Sequence, residues 1–463
     1  MSADAERDQE MTTATTSDTL AAVGEVLGPT IAKGVIIRRP GVLRVADRLD
    51  ADQRAVARMQ ALRDTYGPGP VRLNVPGRTL ALVLDPDDVK RVLAGAPEPF
   101  APASTEKRSA LAHFQPQGVL ASHGAAREDR RAFNEQVLES DLPVHHLAEP
   151  LMAKAGEEAG RLAEQMGRDR RLTWPAYVDA WWRMVRRVVL GDGARDDHAV
   201  TDLLADLRAA ANFAFLRPTP TQTRRRFFRQ LQGHLDRAEP DSLAGVVADV
   251  PTTELTRPEQ QVPQWLFAYD AAAWASYRAL ALLASHPEEA ERARDDLAGS
   301  TGPLAGDSEL LRASMLESLR LWPTTPVVLR DTTAPTRWAS GVLPAGASLV
   351  IFAPLFHRDR AALAAADGFD PGMWTGRTGG EPLGRITDDD WPLIPFSAGP
   401  AVCPGRNLVL LTASAMLATL LTQHDVRLER PGRLGPDQAL PGTLNPFELH
   451  FAAHPRARPD AVA

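Results

Sequence analysis

The sequence predicts a mainly α-helical protein with a small β-rich region. Apolar residues recur at three- and four-residue spacings, the period of a helix with one buried face, in six long stretches. These stretches are 51–66, 144–166, 174–190, 199–215, 221–237 and 265–285. Segments with strand character are few and short, and turns rich in Gly and Pro bound them. They lie at 71–75, 79–84 and 348–352.

The chain is expected to form one domain. No internal repeat and no Pro/Gly/Ser-rich linker divides its 463 residues. We expect a single domain over residues 45–463. The preceding segment, residues 1–44, begins with a polar Thr/Ser/Asp-rich stretch and is expected to be a disordered or loosely packed tail.

Composition and charge exclude several classes of function. The hydrophobic fraction of 44% and the charged fraction of 24% are those of an ordinary globular protein. A net charge of −7 without a long basic run argues against a nucleic-acid partner. No apolar stretch reaches about twenty residues, and the polar N-terminus lacks the pattern of a signal peptide. We therefore expect a cytoplasmic protein without a membrane anchor.

Cys403 is the only cysteine, so an internal disulfide is excluded. It stands in Phe396-Ser-Ala-Gly399-Pro-Ala-Val-Cys403-Pro-Gly405, where prolines and glycines predict a rigid loop. An apolar stretch, 408–421, follows and predicts a buried helix. A sulfur at a helix N-terminus is expected to have a lowered pKa, and the thiolate is the form that binds metal. The alternative is a small buried hydrophobe, as most free cysteines are.

The pattern Phe-x-x-Gly-x-x-x-Cys-x-Gly resembles the haem-binding loop of the cytochrome P450 family. The resemblance covers nearly all of the chain beyond about residue 45 and implies the P450 fold, with haem b between a central distal helix and the proximal cysteine loop. It makes Cys403 the axial thiolate on iron, which favours O–O bond cleavage. Phe396 would pack under the ring, while Gly399 and Gly405 would let the backbone approach the haem and the sulfur.

Glu317 and Arg320 lie on one face of a predicted helix at spacing i,i+3, within reach of an ion pair. Such pairs are common on solvated helices. They also resemble the family's Glu-x-x-Arg motif, whose buried pair holds the segment before the cysteine loop. The family's third partner, an arginine after Phe-x-Pro, is replaced here by Met373. Either Arg377 substitutes for it or the contact is looser.

The resemblance assigns haem propionate contacts to Arg127, Arg131 and Arg330. Arg127 and Arg131 are spaced i,i+4 on a predicted helix, and arginine suits carboxylates because it binds them with two parallel hydrogen bonds. The alternative for each is a solvated surface arginine. Two residues before the cysteine the family has His or Arg, but this chain has Ala401. We expect that contact to be missing or to come from His357.

The segment before His286-Pro287 resembles the helix that crosses the distal face of the haem. Counting back from His286 places Asp270 at the family's acidic position and Ala271 where a threonine usually orients the water that delivers protons. Alanine has no hydrogen-bonding side chain. We expect Asp270 to relay protons through water, with Tyr269 as a weaker candidate. The alternative for Asp270 is a helix-capping or salt-bridged acid.

Substrate contacts follow from the resemblance alone and suggest an apolar pocket. They involve the segment before Arg127, the turn at 213–215, the central helix and two later segments. The named candidates are Phe114, Ala268, Ala272, Val327 and Leu444.

The resemblance implies a haem-thiolate monooxygenase that hydroxylates or epoxidises a small organic molecule in bacterial secondary metabolism. A separate ferredoxin or flavodoxin with its NAD(P)H reductase would supply electrons, docking on a basic face near Arg127 and Arg406. A peroxygenase or an oxidative coupling or rearrangement enzyme is the alternative that Ala271 suggests. A haem-binding protein without catalytic activity is a third, suggested by Ala271, Ala401 and Met373 together.

Overall fold

The computed structural model describes residues 11–214, 218–300, 307–376 and 390–456, and the mainly helical fold is confirmed. Every one of the six predicted helical stretches contains a helix, with ends shifted by a few residues. In chain order the α-helices of the described residues are α1 Thr16–Ala22, α2 Gly28–Ala32, α3 Pro40–Arg48, α4 Ala51–Tyr66, α5 Pro86–Ala94, α6 Thr105–Leu111, α7 Gly124–Leu138, α8 Ala148–Asp169, α9 Trp174–Leu190, α10 His198–Ala211, α11 Thr221–Arg237, α12 Leu243–Asp249, α13 Pro258–Ser285, α14 Pro287–Gly299, α15 Glu309–Leu321, α16 Ala353–His357 and α17 Arg406–Gln423.

The β-structure is limited to short strands in three small sheets. The strands are β1 Val71–Leu73, β2 Leu80–Val83, β3 Phe100–Ala101, β4 Arg171–Thr173, β5 Val327–Thr332, β6 Thr336–Trp338, β7 Gly341–Leu343, β8 Ser348–Phe352, β9 His424–Arg430 and β10 His450–Pro455. The largest sheet has the order β1-β2-β8-β5-β3, in which β2 and β8 are parallel and the other neighbours antiparallel. The other two have the orders β4-β10-β9 and β6-β7.

Helices α13 and α17 form the centre of the larger hydrophobic core. Helix α13 packs against α9, α15 and α17, and α17 packs against α8. Apolar residues surround both helices, which is the pattern of a helix buried on all sides. Since α17 begins at Arg406, this packing fixes the position of the loop that carries Cys403 just before it.

The N-terminal segment differs from the expected tail over residues 11–44. Thr13 pairs with Arg72 beside β1, and the Thr12 N–H donates to the Ser340 carbonyl at 2.7 Å. Ala22 and Val26 are buried in the second hydrophobic core, which includes the largest sheet. The prediction of disorder or loose packing is wrong here because small apolar residues within a polar stretch cover one side of that sheet.

Residues 1–10 lie outside the described residues. Within the described ranges, no helix combines the length and the apolar character needed to cross a bilayer.

Candidate functional site

The Cys403 loop is held from both sides by arginines and by its own backbone. The Cys403 N–H donates to the Phe396 carbonyl at 3.0 Å, which closes the loop. Arg131 on α7 donates to the Val402 carbonyl at 2.8 Å. Arg406, the first residue of α17, donates to the Cys403 carbonyl at 3.2 Å. The sulfur is therefore carried on a loop fixed to α7 and α17.

Steric contacts require glycine at position 399, whereas no such contact requires glycine at position 405. Gly399 has φ +65°, and a Cβ there would lie 2.3 Å from the Leu93 carbonyl oxygen. Only glycine fits that position. A Cβ at Gly405 would meet only the Leu138 side chain, at 3.8 Å. The Gly405 N–H points to the Cys403 sulfur instead.

Burial raises the pKa of the Cys403 thiol. The Gly405 N–H and the charges of Arg131 and Arg406 lower the pKa but offset burial only in part. The expectation of a lowered pKa is wrong because the surrounding protein disfavours an isolated thiolate more than the loop stabilises it. Without a bound cation the neutral thiol is therefore the favoured form, and a metal ion would shift this residue towards the thiolate.

Arg127 and Arg330 form a buried cationic pair near this loop. Arg127 is 7% exposed and Arg330 3% exposed. Arg330 donates to the Ser397 hydroxyl at 3.2 Å and to the Leu329 carbonyl at 2.9 Å, and its Nε has no partner. Burial and the charge of Arg127 lower the pKa of Arg330 to about 10. Neither arginine makes an ion pair with a described carboxylate, so a bound anion would stabilise these two buried charges.

Lys107 adds a third cation that the sequence had not suggested. Its ammonium donates to the carbonyls of Pro102 at 2.9 Å and Leu329 at 3.3 Å. Burial and the charge of Arg330 lower its pKa to about 7. Only the tertiary structure shows this residue, since a lysine within α6 has no distinctive spacing relative to Arg330.

His357 does not replace the residue missing at Ala401. Its Nδ1–H donates to the Arg320 carbonyl at 3.2 Å, and its Nε2 accepts from the Ile394 N–H at 2.9 Å. Burial first, and then the charge of Arg320, lower its pKa to about 3. Both nitrogens of a neutral ring are thus occupied, and the expectation of a propionate contact from His357 is wrong.

Glu317 and Arg320 form a fully buried two-bond ion pair rather than a surface pair. Arg320 Nε lies 2.6 Å from Glu317 Oε1, and Nη2 lies 2.8 Å from Oε2. The same guanidinium donates to four backbone carbonyls, at distances of 2.8–3.0 Å. These belong to His357, Ala365, Ala366 and Gly368. The pair therefore ties α15 to the irregular segment that leads towards the cysteine loop.

Trp374 provides the third contact to Glu317. Its indole N–H donates to Glu317 Oε1 at 2.8 Å, and the Asp370 N–H donates to Oε2 at 3.0 Å. Met373 packs its side chain against the core, and Arg377 lies outside the described residues. The tryptophan directly after Met373 was the available sequence signal, since an indole is the only other strong donor in this turn.

The distal helix α13 keeps one face partly accessible. Gln264, Ala268 and Ala271 retain accessible surface in a helix that is otherwise largely buried. Their spacings of four and three residues place them on one side. Two of the three, Ala268 and Ala271, have small side chains, so this face offers little steric obstruction to a ligand.

Asp270 forms a buried ion pair with Arg208 of α10. The same guanidinium lies 4.9 Å from the ring of Phe267. Asp270 is thus a salt-bridged acid, which was the alternative to a proton relay. The Tyr269 hydroxyl lies 3.3 Å from the Thr412 hydroxyl in the core, on the α17 side. This position argues against Tyr269 as a proton relay.

The candidate substrate residues are divided between four places. Phe114 packs edge-on against Phe267 of α13, with ring centroids 5.8 Å apart, so it meets the distal helix. Ala268 lies on the accessible face of α13, whereas Ala272 is buried in the core. Val327 in β5 is half-buried.

Leu444 is buried and lines a different, charged cavity. Of the turn at 213–215, only Phe213 and Ala214 are described.

The basic docking face expected near Arg127 and Arg406 is not formed by these residues. Both side chains are buried, and Arg406 donates to the Ser140 carbonyl at 3.0 Å. The neighbouring groove at the end of α7 is lined by Glu135, Glu139 and Asp141 among others and carries no basic side chain. Within the described residues, the surface beside the cysteine loop is acidic at this point.

Comparison with known proteins agrees with this geometry. The family model described as Cytochrome P450 matches residues 259–446, which include α13, the Glu317–Arg320 pair and Cys403. Over these residues the chain matches the cytochrome P450 family. The family resemblance inferred from the sequence is thereby confirmed.

Curated relatives match this chain over about a third of their length. Cytochrome P450 4g15 of Drosophila melanogaster is 27% identical over 186 residues, which cover 37% of this chain and 31% of the relative. Cyclooctat-9-en-7-ol 5-monooxygenase of Streptomyces melanosporofaciens is 29% identical over 152 residues, 32% of either chain. Drimenol monooxygenase of Persicaria hydropiper is 29% identical over 159 residues, 33% of this chain and 31% of the relative.

Solved structures share the fold over most of the chain. A retinoic acid-bound cyanobacterial CYP120A1 superposes with a TM-score of 0.67 at 16% identity, covering 86% of this chain and 94% of the other. A zebra fish cytochrome P450 with abiraterone gives 0.64 at 18% identity, covering 87% and 100%. At these identities the likeness shows the fold alone.

The family implies a haem-iron cofactor, and the residues fit it. Haem brings a metal cation and two carboxylates. The Cys403 sulfur, carried on a loop fixed to α7 and α17, would ligate the metal cation. The buried guanidiniums of Arg127 and Arg330, one with an unpartnered Nε, would bind the carboxylates.

Proposed function

We propose that this protein is a haem-thiolate monooxygenase of the cytoplasm that hydroxylates or epoxidises a small organic molecule, with haem b as its cofactor. The observation that carries the proposal is the combination of the Cys403 loop with the buried cations Arg127 and Arg330. Haem would fit this arrangement, because it has a metal cation at its centre and two carboxylates at its edge. Relatives named as monooxygenases support the reaction class.

Each part of the site has a definite task in this reaction. When bound, the haem iron supplies the reduction of dioxygen and the transfer of one oxygen atom to the substrate. Cys403 would ligate the iron, and Arg127, Arg131 and Arg330 would neutralise the propionates. The Glu317–Arg320 pair keeps the segment before the loop in place.

Proton delivery is assigned to Asp270 acting through ordered water. Ala271 cannot orient that water, because it has no hydroxyl. The Asp270 carboxylate is an acceptor that could pass on a proton only if it exchanges its bond with Arg208 for a bond to water. Arg208 is therefore proposed to control when Asp270 can act.

The absorption spectrum of the carbon monoxide adduct tests whether Cys403 is the ligand of the haem iron. Reduced protein with carbon monoxide is expected to show the red-shifted Soret band of a thiolate–haem carbonyl, and Cys403→Ser is expected to lose it. Ser414→Ala, which removes a hydroxyl from within α17, serves as a control for a neighbouring change. An imidazole-type spectrum in the parent protein would refute the assignment.

We further propose that electrons come from a separate ferredoxin or flavodoxin with an NAD(P)H reductase, in bacterial secondary metabolism. The Streptomyces relative named as a monooxygenase supports the setting. Because the groove of Glu135, Glu139 and Asp141 is acidic, an acidic donor is expected to bind elsewhere on this face. Neutralising these three acids should leave the rate of reduction by ferredoxin unchanged or raise it, and a marked fall would contradict this placement.

A peroxide-driven oxidation, or an oxidative coupling or rearrangement, is the second candidate. It is favoured by Ala271 together with the Asp270–Arg208 pair, which leave no free proton-relay side chain at this point of α13. The peroxide-driven oxidation would give turnover with hydrogen peroxide at least equal to turnover with dioxygen and reductant. Turnover that depends strictly on reductant would exclude it, and a coupled or rearranged product without added oxygen would instead support coupling or rearrangement.

A further inference from the structure

A small cavity with mostly apolar lining residues also presents a cluster of charged side chains. It has a volume of about 40 Å³ and lies between the N-terminal segment, the start of α4, the later half of α13 and the turn at 442–444. Its charged lining residues are Lys33, Arg38, Arg278 and Arg358 against the single carboxylate of Asp52. With four cationic side chains and only one carboxylate, this buried cavity has an excess of positive charge.

Two of these cations are already paired. Lys33 forms an ion pair with Asp52. Arg358 lies 2.8 Å from an oxygen of Asp367 and donates to three backbone carbonyls. Neither residue therefore needs an additional anion.

Arg38 and Arg278 make no ion pair with a described carboxylate. Arg38 donates to two backbone carbonyls, at 2.7 and 2.6 Å. Arg278 is 8% exposed and donates to the carbonyls of Trp322 at 3.3 Å and Leu444 at 2.5 Å, while its Nε has no partner. Burial first, and then the charge of Arg38, lower the pKa of Arg278 to about 9. Two positive charges thus line the same cavity, and the Nε–H of Arg278 remains a free hydrogen-bond donor.

We propose that Arg38 and Arg278 form a binding site for one small carboxylate. A water needs roughly 10–15 Å³ of such space, so the cavity of about 40 Å³ holds roughly three to four heavy atoms, the size of a carboxylate group with one attached carbon. An anion here would neutralise both guanidiniums and accept from the free Nε–H of Arg278. Arginine suits this ligand because its donors match the two oxygens.

The site also has a defined position relative to the distal face. Arg278 follows Ala271 by seven residues, which places both on one side of α13 about 10 Å apart. The carboxylate is therefore either that of a small free acid or the end of a longer organic acid that reaches towards Ala271. The inference goes beyond the proposed function and does not depend on it, since it concerns binding alone.

Calorimetric titration of the intact protein with acetate tests the site, with sodium sulfate and chloride at equal ionic strength as references. We expect one saturable acetate site per chain. Arg278→Gln and Arg38→Gln should each weaken it by about tenfold or more, the usual effect of losing a hydrogen bond to a charged group. Because Arg38 lies on a partly exposed segment, its variant remains informative if Arg278→Gln fails to fold.

Arg186→Gln is the matched control. Arg186 is 1% exposed against 8% for Arg278, donates to the Arg195 carbonyl at 2.8 Å and has one unpartnered nitrogen, but it lies in α9 and does not line the cavity. This variant should bind acetate as the parent does. Absence of saturable binding in the parent, or equal affinity in Arg278→Gln, would overturn the proposal.

Competition then distinguishes the two sources of the carboxylate. Octanoate that displaces acetate, when methyl octanoate does not, would identify the site with the end of an organic acid. Acetate binding that octanoate leaves unchanged would support a site for a free small acid. Neither measurement uses turnover, so a failure here is separate from a failure of the monooxygenase assignment.

Discussion

Replacing Trp374 by phenylalanine tests the contact that completes the Glu317–Arg320 pair. The indole N–H lies 2.8 Å from Glu317 Oε1, and Glu317 is fully buried. Loss of a hydrogen bond to a charged acceptor costs about 1.5–3 kcal/mol, because the carboxylate oxygen is left without its donor. Phenylalanine keeps one aromatic ring, so we expect the unfolding free energy to fall by about 2–4 kcal/mol in total. The midpoint of urea unfolding, followed by circular dichroism, measures this loss.

Trp265→Phe is the matched control for that measurement. Trp265 is 4% exposed, close to the 3% of Trp374, and its indole N–H donates to the neutral Asn134 Oδ1 at 2.7 Å. The same ring is lost, but the neutral hydrogen bond contributes only about 0.5–1.5 kcal/mol. Trp374→Phe should therefore cost about 1–2 kcal/mol more than Trp265→Phe. Equal costs would show that the charge of Glu317 does not depend on this donor.

Three further predictions concern the distal helix, the cation cluster and pH. Ala271→Thr should raise the ratio of reductant-driven to peroxide-driven turnover, since it restores a hydroxyl, whereas Ala271→Val should not; equal ratios in the two variants would contradict the assigned role. Arg330→Met should accelerate haem transfer to apomyoglobin about tenfold, the effect of one lost charge-assisted contact, while the exposed Arg337→Met should have no effect. His357, with its pKa lowered to about 3 by burial, binds fewer protons when folded than when unfolded, so stability should fall with pH from about 6.5 downwards. As the pH falls from 6.5 to 5 the contribution of His357 to the slope should approach about 1.4 kcal/mol per pH unit, and His357→Gln should lower the measured slope by that amount.

The sequence predicted the parts of the site that lie close together along the chain. The cysteine loop, the Glu317–Arg320 spacing and the helical class are all encoded in short segments, where spacing alone determines which side chains share a face. The pair at Arg127 and Arg330 was found only through the family pattern, since an isolated arginine carries no sign of burial.

The failed expectations have one physical origin. His357 and Arg406 were assigned by their position in the chain, but each directs its donors to backbone carbonyls inside the fold. Backbone carbonyls are present at every residue, so a sequence cannot show which of them a side chain will meet. The same holds for burial at Cys403, which reverses the direction of its pKa shift.

By itself, the sequence determined the family, the metal ligand to be tested and the missing distal hydroxyl at Ala271. The tertiary structure decided what surrounds them: Trp374 on Glu317, Arg208 on Asp270, and Arg38 opposite Arg278. The first two pairs are separated by 57 and 62 residues along the chain. Such contacts depend on how whole helices pack and rotate against one another, and local periodicity states only which face of a helix is buried, not which charge it meets.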